Sequence, residues 1–256
     1  MLRISTPSRL HLAVSICLLI RDPIIGFQTN KAGLYNDVEL ISGIVTPTWM
    51  ACGYVCFFLG TVYALWHMPW RWLGRAENLN RFIIVCLAIF AIWQVRAEIL
   101  DGPTVHLLGA TLLTLGFGWQ IATLGLALVS VLSASVNGGD WSVFGLNATL
   151  FAVLGVWLSY AVAQANERFF PRHLFTYIFV AGFFGAGLTI GLVAVAAVTV
   201  IYASQIVDPW AVTKNFLPSS VLLVFPEAFI TGALITLSAV YRPDWLVSFD
   251  EKRTLG

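Results

Sequence analysis

Charge is scarce in this sequence. Of its 256 residues only 11% are Asp, Glu, Lys or Arg, where a soluble domain carries about a quarter. The 14 basic and 13 acidic side chains nearly cancel, to a formal net charge of +1. That balance offers no basic stripe for a phosphate backbone and excludes nucleic acid as a partner. Cysteine is rare too. Cys17, Cys52, Cys56 and Cys86 all lie in apolar stretches, so they read as small core hydrophobes and not as a disulfide framework. Cys52 and Cys56 are one helical turn apart, a spacing that ordinary packing explains better than a soft metal does. The phosphate-cradling Gly-x-x-x-x-Gly-Lys-Ser/Thr loop is missing, as are Gly-x-Ser-x-Gly and His-Glu-x-x-His. No lysine lies inside an apolar run to carry a Schiff base. Nothing resembles a catalytic centre, and the chain reads as a non-enzyme.

What is present is apolar surface, at 59% hydrophobic residues. This composition specifies an all-α polytopic membrane protein with one membrane domain. Residues 1–37 differ from the rest. Arg3 and Arg9 precede an apolar run, residues 10–20, that is too short to span a bilayer and ends at Arg21-Asp22-Pro23. The pattern is signal-like but has no clear small-x-small cleavage site, and residues 28–37 are polar and weakly structured. The regular pattern begins at Val38, where a GTG codon would initiate a bacterial chain as Met. We therefore expect the functional protein to start at or close to residue 38, by initiation or by cleavage. Residues 38–256 form the membrane domain.

Seven apolar spans are expected there: 46–66, 82–100, 106–117, 121–136, 143–165, 175–202 and 216–241. Thr46 caps the first and Pro47 sits in its first turn. Turns follow from Gly118-Trp119-Gln120 and Asn137-Gly138-Gly139-Asp140. Basic residues mark the cytoplasmic side. Arg71, Arg75, Arg81, Arg168, Arg172, Arg242, Lys252 and Arg253 fall on one side of a seven-span layout, and from residue 38 onward only Arg96 and Lys214 fall on the other. An odd number of spans follows, with Pro47 outside and the C-terminus in the cytoplasm. Gly182, Gly185, Gly187 and Gly191 form a small-residue surface, read first as packing within the bundle and second as a docking face for a membrane partner.

The polar groups inside this apolar scaffold are the functional candidates. The stretch Asp101-Gly102-Pro103-Thr104-Val105-His106-Leu107-Leu108-Gly109-Ala110 places a histidine behind a Gly-Pro break at the start of a helix. Irregular backbone at membrane depth must be covered by protein or line a cavity. The imidazole and the helix's free amides then face the same space. Asn147 near the outer end of the fifth span and Glu227 inside the seventh could join it. A carboxylate at the position of Glu227 must be neutral, paired or bound to a cation. Arg96 and Glu98 read as a structural ion pair, and His67 and His173 as interfacial residues.

Gly102-Pro103-Thr104-Val105-His106-Leu107-Leu108-Gly109 resembles the Gly-Thr-Ser-x-His-Leu motif of the CbiM-type cobalt/nickel transport family. The likeness continues through Gly145-Leu146-Asn147-Ala148 and Pro226-Glu227-Ala228-Phe229-Ile230-Thr231-Gly232, covers roughly residues 40–245, and is strongest to a divergent proteobacterial branch. The resemblance implies the membrane substrate-binding component (permease) of an energy-coupling factor ABC transporter, in the bacterial inner membrane. It would take up Co²⁺ or Ni²⁺, with a link to cobalamin biosynthesis and no intrinsic cofactor. Its partners would be a transmembrane coupling subunit, ABC ATPases and the lipid bilayer. In the family the ligands are the free N-terminus, a histidine at position two and the motif histidine that matches His106. This chain opens Met1-Leu2-Arg3, and a start at Val38 makes Glu39 the second residue, so the second-position histidine is absent either way. The expected metal ligands are therefore His106, Glu39 and the amino group of Val38, supported by Asn147, Glu227 and Thr104, a set richer in oxygen than the family's own. The alternative reading is a non-transporting membrane protein that kept the fold, lost the site and acts in interaction or assembly.

Overall fold

The computed structural model describes residues 40, 42–94, 106–171, 173–206 and 209–249, with backbone alone at residues 42 and 209–220. The described residues are helical and include no strand. Seven helices make the bundle: α1 Pro47–Trp66, α2 Ala76–Gln94, α3 Ala110–Phe117, α4 Trp119–Asn137, α5 Trp141–Phe169, α6 Leu174–Ser204 and α7 Pro209–Tyr241. All except α3 contain a stretch long and apolar enough to cross a membrane.

The expected third span, residues 106–117, takes a different form. Its helix is the eight residues Ala110–Phe117, about 12 Å at 1.5 Å per residue, against a hydrocarbon core of about 30 Å. Residues 106–109 ahead of it are not helical. Glycine sets both limits: Gly109 opens α3 at φ 70° and Gly118 closes it at φ 84°, each in the left-handed half of backbone space. A helix this short survives because protein covers it. Seven of its eight residues are buried, and it packs against α4, α5, α6 and α7. Non-helical backbone such as residues 106–109 is tolerated at membrane depth only under such cover.

The remaining helices assemble around α3. α1 packs on α4 and α5, α2 on α4, and α6 pairs with α7. The α1–α5 crossing is the tightest. A Cβ built on Gly53 would lie 2.5 Å from the Leu146 Cα, and one built on Gly145 would strike the Tyr54 ring. The Thr149 hydroxyl donates to the Gly53 carbonyl at 2.8 Å across this contact. The small residues of α6 are spent inside the bundle, since Gly182 faces Ile235 and Gly187 faces Val224 and Ala228 of α7.

Polar side chains tie the interior together. The Ser159 hydroxyl donates to the Gly155 carbonyl at 2.9 Å and meets Thr111 at 2.8 Å and Thr189 at 3.2 Å, joining α3, α5 and α6. At the far end of α3 the C-terminal segment folds back. The amides of Val247 and Ser248 donate to the carbonyls of Gly116 and Leu115, both at 3.3 Å. The Ser248 hydroxyl also donates to the Leu115 carbonyl at 2.9 Å and meets the Tyr177 hydroxyl at 2.7 Å.

Some local expectations are revised. Thr46 makes no side-chain cap for α1; its backbone amide donates to the Ser204 hydroxyl at 3.4 Å. Asp140 does cap α5, accepting from the Ser142 amide at 3.0 Å. Cys52 and Cys56 lie on the exposed face of α1, not in the core. α7 runs through Pro226 without a break, because a missing N–H removes one ladder bond in a helix secured by its neighbours.

Candidate metal site

The site grows from the four residues ahead of α3. The first amides of a helix have no partner within it, and at membrane depth water cannot serve them. Here a side chain from α7 does. Glu227 Oε2 accepts from the Leu108 amide at 2.8 Å and Oε1 from the Gly109 amide at 2.9 Å. Glu227 is only 2% exposed. The two N–H donors and the positive end of the α3 dipole supply what a buried carboxylate requires. Of the alternatives that the sequence left open for this carboxylate, the geometry shows pairing with backbone amides. Gly109 is required at this junction: its φ of 70° strains any side chain, and a Cβ there would come within 3.1 Å of Ile89.

Three residues before Gly109, His106 is buried in an aromatic box. The Trp93 ring of α2 lies 4.2 Å from the imidazole, tilted by 35°. The Phe151 ring of α5 meets it edge-on at 5.3 Å. His106 Nδ1 is 3.2 Å from the Leu107 carbonyl oxygen. A carbonyl only accepts, so in this bond Nδ1 is the donor. Among the described histidines His106 alone is buried; His67 and His173 are exposed. His67 packs against Tyr63 at 4.3 Å with the rings tilted by 46°, and His173 Nδ1 accepts from the Phe175 amide at 3.2 Å to cap α6.

Asn147 performs a related task one turn from the box. Its Oδ1 accepts from the Leu40 amide at 2.8 Å and its Nδ2 donates to the Leu40 carbonyl at 2.9 Å. This two-point clamp imitates a strand partner and fixes the chain where it enters the bundle. Leu40 is 2% exposed and shares one apolar core with Trp93, Leu108 and Phe151. Asn147 and Phe151 sit four residues apart on α5, so the clamp on Leu40 and the wall beside His106 occupy neighbouring turns. The intervening stretch Thr149–Leu154 is a π-helix, a local widening that recurs at functional sites.

The described residues thus place His106 and Glu227 at the start of α3, and Asn147 on the backbone of Leu40. Asn147 and Glu227 both spend their polar atoms on backbone. Val38, Glu39, Thr104, Arg96 and Glu98 lie outside the described residues, which hold no group of three or more His, Cys, Asp or Glu side chains placed for a metal. Sequence reasoning missed Trp93 and Phe151. A signal for Phe151 existed, since it lies four residues after Asn147; nothing local marked Trp93 from the chain's other tryptophans.

Replacing Asn147 by leucine should leave the Leu40 amide and carbonyl buried without partners. At about 1–3 kcal/mol for each orphaned group, we expect a loss of about 3 kcal/mol in detergent unfolding. Hydrogen exchange at the Leu40 amide should accelerate with it. Unchanged stability and exchange would mean that the entry of the chain is held by packing alone.

No curated protein sequence matches the chain. Solved structures share the fold, among them two transition metal transporters. The crystal structure of a truncated transition metal transporter superposes with a TM-score of 0.65 at 16% identity, covering 79% of this chain and 99% of that one. The crystal structure of a transition metal transporter gives 0.65 at 17% identity, covering 79% and 93%. The family model described as the cobalt uptake substrate-specific transmembrane region matches residues 40–245, from the clamped Leu40 to the short turn after α7. The chain belongs to this family, CbiM.

Proposed function

We propose that the chain is the membrane substrate-binding component of an energy-coupling factor ABC transporter that takes up Co²⁺ or Ni²⁺. The observation that carries the proposal is the buried His106 imidazole, with Nδ1 3.2 Å from the Leu107 carbonyl oxygen, walled by Trp93 and Phe151. Nitrogen donors suit these ions. The clamp on Leu40 adds support. Glu39 directly precedes Leu40 in the sequence, and the clamp lies one turn along α5 from His106's aromatic wall. That spacing favours Glu39 and the Val38 nitrogen as companions of His106, the nitrogen as a free amine in a chain that starts at Val38. Thr104, two residues before His106 in the sequence, is proposed to support them.

The cation would enter from the outer face of the bacterial inner membrane. A transmembrane coupling subunit and ABC ATPases would supply the energy, since this sequence has no phosphate-binding loop of its own. Membership of the CbiM family and the fold of transition metal transporters support the reading.

Purified protein that starts at residue 38, loaded with Co²⁺ or Ni²⁺ and then desalted, should retain about one ion per chain. Retention of neither ion favours the alternative, a membrane protein that kept the fold for interaction or assembly. The charge bias further predicts seven crossings, with α3 and the non-helical residues before it serving as the third. A reporter fused after Gly256 should therefore be active only in the cytoplasm. Periplasmic activity would reverse the orientation.

A further inference from the structure

We infer that residues 243–249 form a strap that sets how firmly the candidate site is held, because it clasps the far ends of three helices that build the site. Trp93 of α2, the residues ahead of α3 and Glu227 of α7 come together around residues 106–109. At their other ends all three helices reach the strap. α7 runs on from Glu227 to Tyr241, about 21 Å at 1.5 Å per residue, and the strap follows it after Arg242. α3 ends under the strap. The Val247 and Ser248 amides donate to the carbonyls of Gly116 and Leu115, both at 3.3 Å, in the last turn, where carbonyls have no partner within the helix. α2 is gripped through Arg81, about 18 Å along the helix from Trp93. The Arg81 guanidinium donates to the Asp244 carbonyl at 3.3 Å, lies 3.6 Å from the Asp244 carboxylate and sits over the Trp245 ring at 5.9 Å. Glu77, one turn earlier on α2, pairs with it at 2.6 Å.

The strap is built to part from the bundle as a unit. Leu246 and Phe249 are buried in a small apolar cluster with Leu115, Tyr177 and Ile235, separate from the main core that holds Trp93, Leu108 and Phe151. Its polar contacts lie at the surface, where Asp244 and Glu77 are exposed and a single ion pair contributes little. Segments held by a few apolar contacts and exposed hydrogen bonds open at less cost than the whole fold. Release of the strap loosens the ends of α2, α3 and α7 together while the main core stays packed. α3 and α7 can then shift against each other, so the Glu227 bonds to the Leu108 and Gly109 amides open more often. α2, which carries Trp93, loses its hold at Arg81. A docked strap keeps the site firm, and a released strap lets a bound cation leave sooner.

The inference rests on the proposed metal site only for its Co²⁺ arm; the exchange arm needs no metal. Two variants release the strap from different sides. Leu246→Ser weakens its apolar anchor. Arg81→Gln, a milder surface change on α2, removes the ion pairs and the contact with Trp245 without touching α3 or α7. Hydrogen exchange is followed at three places in each variant: the Val247 and Ser248 amides of the strap, the Leu108 and Gly109 amides held by Glu227, and the Leu40 amide held by Asn147 on α5. We expect the strap amides and the Leu108 and Gly109 amides to exchange about tenfold faster or more, with the larger effect in Leu246→Ser, and Leu40 to keep its rate. Co²⁺ dissociation from the protein that starts at residue 38 should quicken by about fivefold or more, the lower end of typical coupling between sites. Three results overturn the inference: neither variant speeds exchange in the strap, the strap opens while Leu108 and Gly109 keep their rates, or Leu40 accelerates as much as they do, which is general loosening. A wild type that binds no Co²⁺ defeats the proposed function, and the exchange rates still decide the role of the strap.

Discussion

His106→Ala is expected to weaken Co²⁺ or Ni²⁺ binding by at least about tenfold, the lower end of what even outer-sphere changes cost at metal sites. The expectation follows from how few nitrogen donors the interior offers. Of the described histidines only His106 is buried, and no cluster of three or more His, Cys, Asp or Glu side chains stands ready among the described residues to replace it. Removing the ring also empties the space between Trp93 and Phe151, whose rings meet each other edge-on at 5.8 Å, so alanine alone would mix lost ligation with lost packing. His106→Phe separates the two. It keeps an aromatic ring in the box and provides no lone pair. If the imidazole is a ligand, both variants lose binding while phenylalanine preserves thermal stability. Binding at the wild-type level in both, measured by equilibrium titration, would make His106 a structural residue.

Gly53→Val should be the most damaging single change to the fold. A Cβ at residue 53 would lie 2.5 to 2.7 Å from the Leu146 backbone and its Cβ. Flexible side-chain ends can yield to such contact, but helix backbone cannot. Overpacking usually costs about 1–3 kcal/mol. Alanine should fall within that range, and valine should exceed it because it adds two methyl groups to a Cβ that already meets the Leu146 backbone. The consequences reach the site. α5 carries both Asn147, which clamps Leu40, and Phe151, which walls His106. Pushing α1 away from α5 also breaks the Thr149 bond to the Gly53 carbonyl. We expect a clear drop in detergent melting temperature for Gly53→Ala and failure to accumulate a folded species for Gly53→Val. Stability of Gly53→Ala within about 0.5 kcal/mol of the wild type, the range of a neutral surface change, would show that the crossing has room to adjust.

Much of this architecture is legible in the sequence because its determinants are local. Runs of apolar residues long enough to cross a bilayer identify the six long helices with few errors, and Gly118 and the residues 137–140 mark the turns between them. His106 emerges from the same logic, since a Gly-Pro break before a helix needs no distant information to be noticed. The short form of α3 is less legible. An apolar run of 12 residues looks like the inner part of a span, and only the left-handed Gly109 and the cover of four neighbouring helices explain why regular helix begins at Ala110. The exposure of Cys52 and Cys56 was hidden for a similar reason: in lipid an apolar residue is at home on either side of a helix, so hydropathy does not say which face turns inward.

The sequence by itself therefore determined the class, the apolar segments, the breaks between them and which few polar residues lie inside. Tertiary structure alone decided what those residues do. Glu227 reads in sequence as a buried charge in need of a partner, and the fold supplies two amides 118 and 119 residues away. Asn147 reads as a candidate near a metal, and the fold gives both of its polar atoms to Leu40, 107 residues upstream. The physical reason is range. Hydropathy and backbone stereochemistry act over one or two turns, whereas a buried polar group must be satisfied by whatever donor or acceptor the packing brings within about 3 Å.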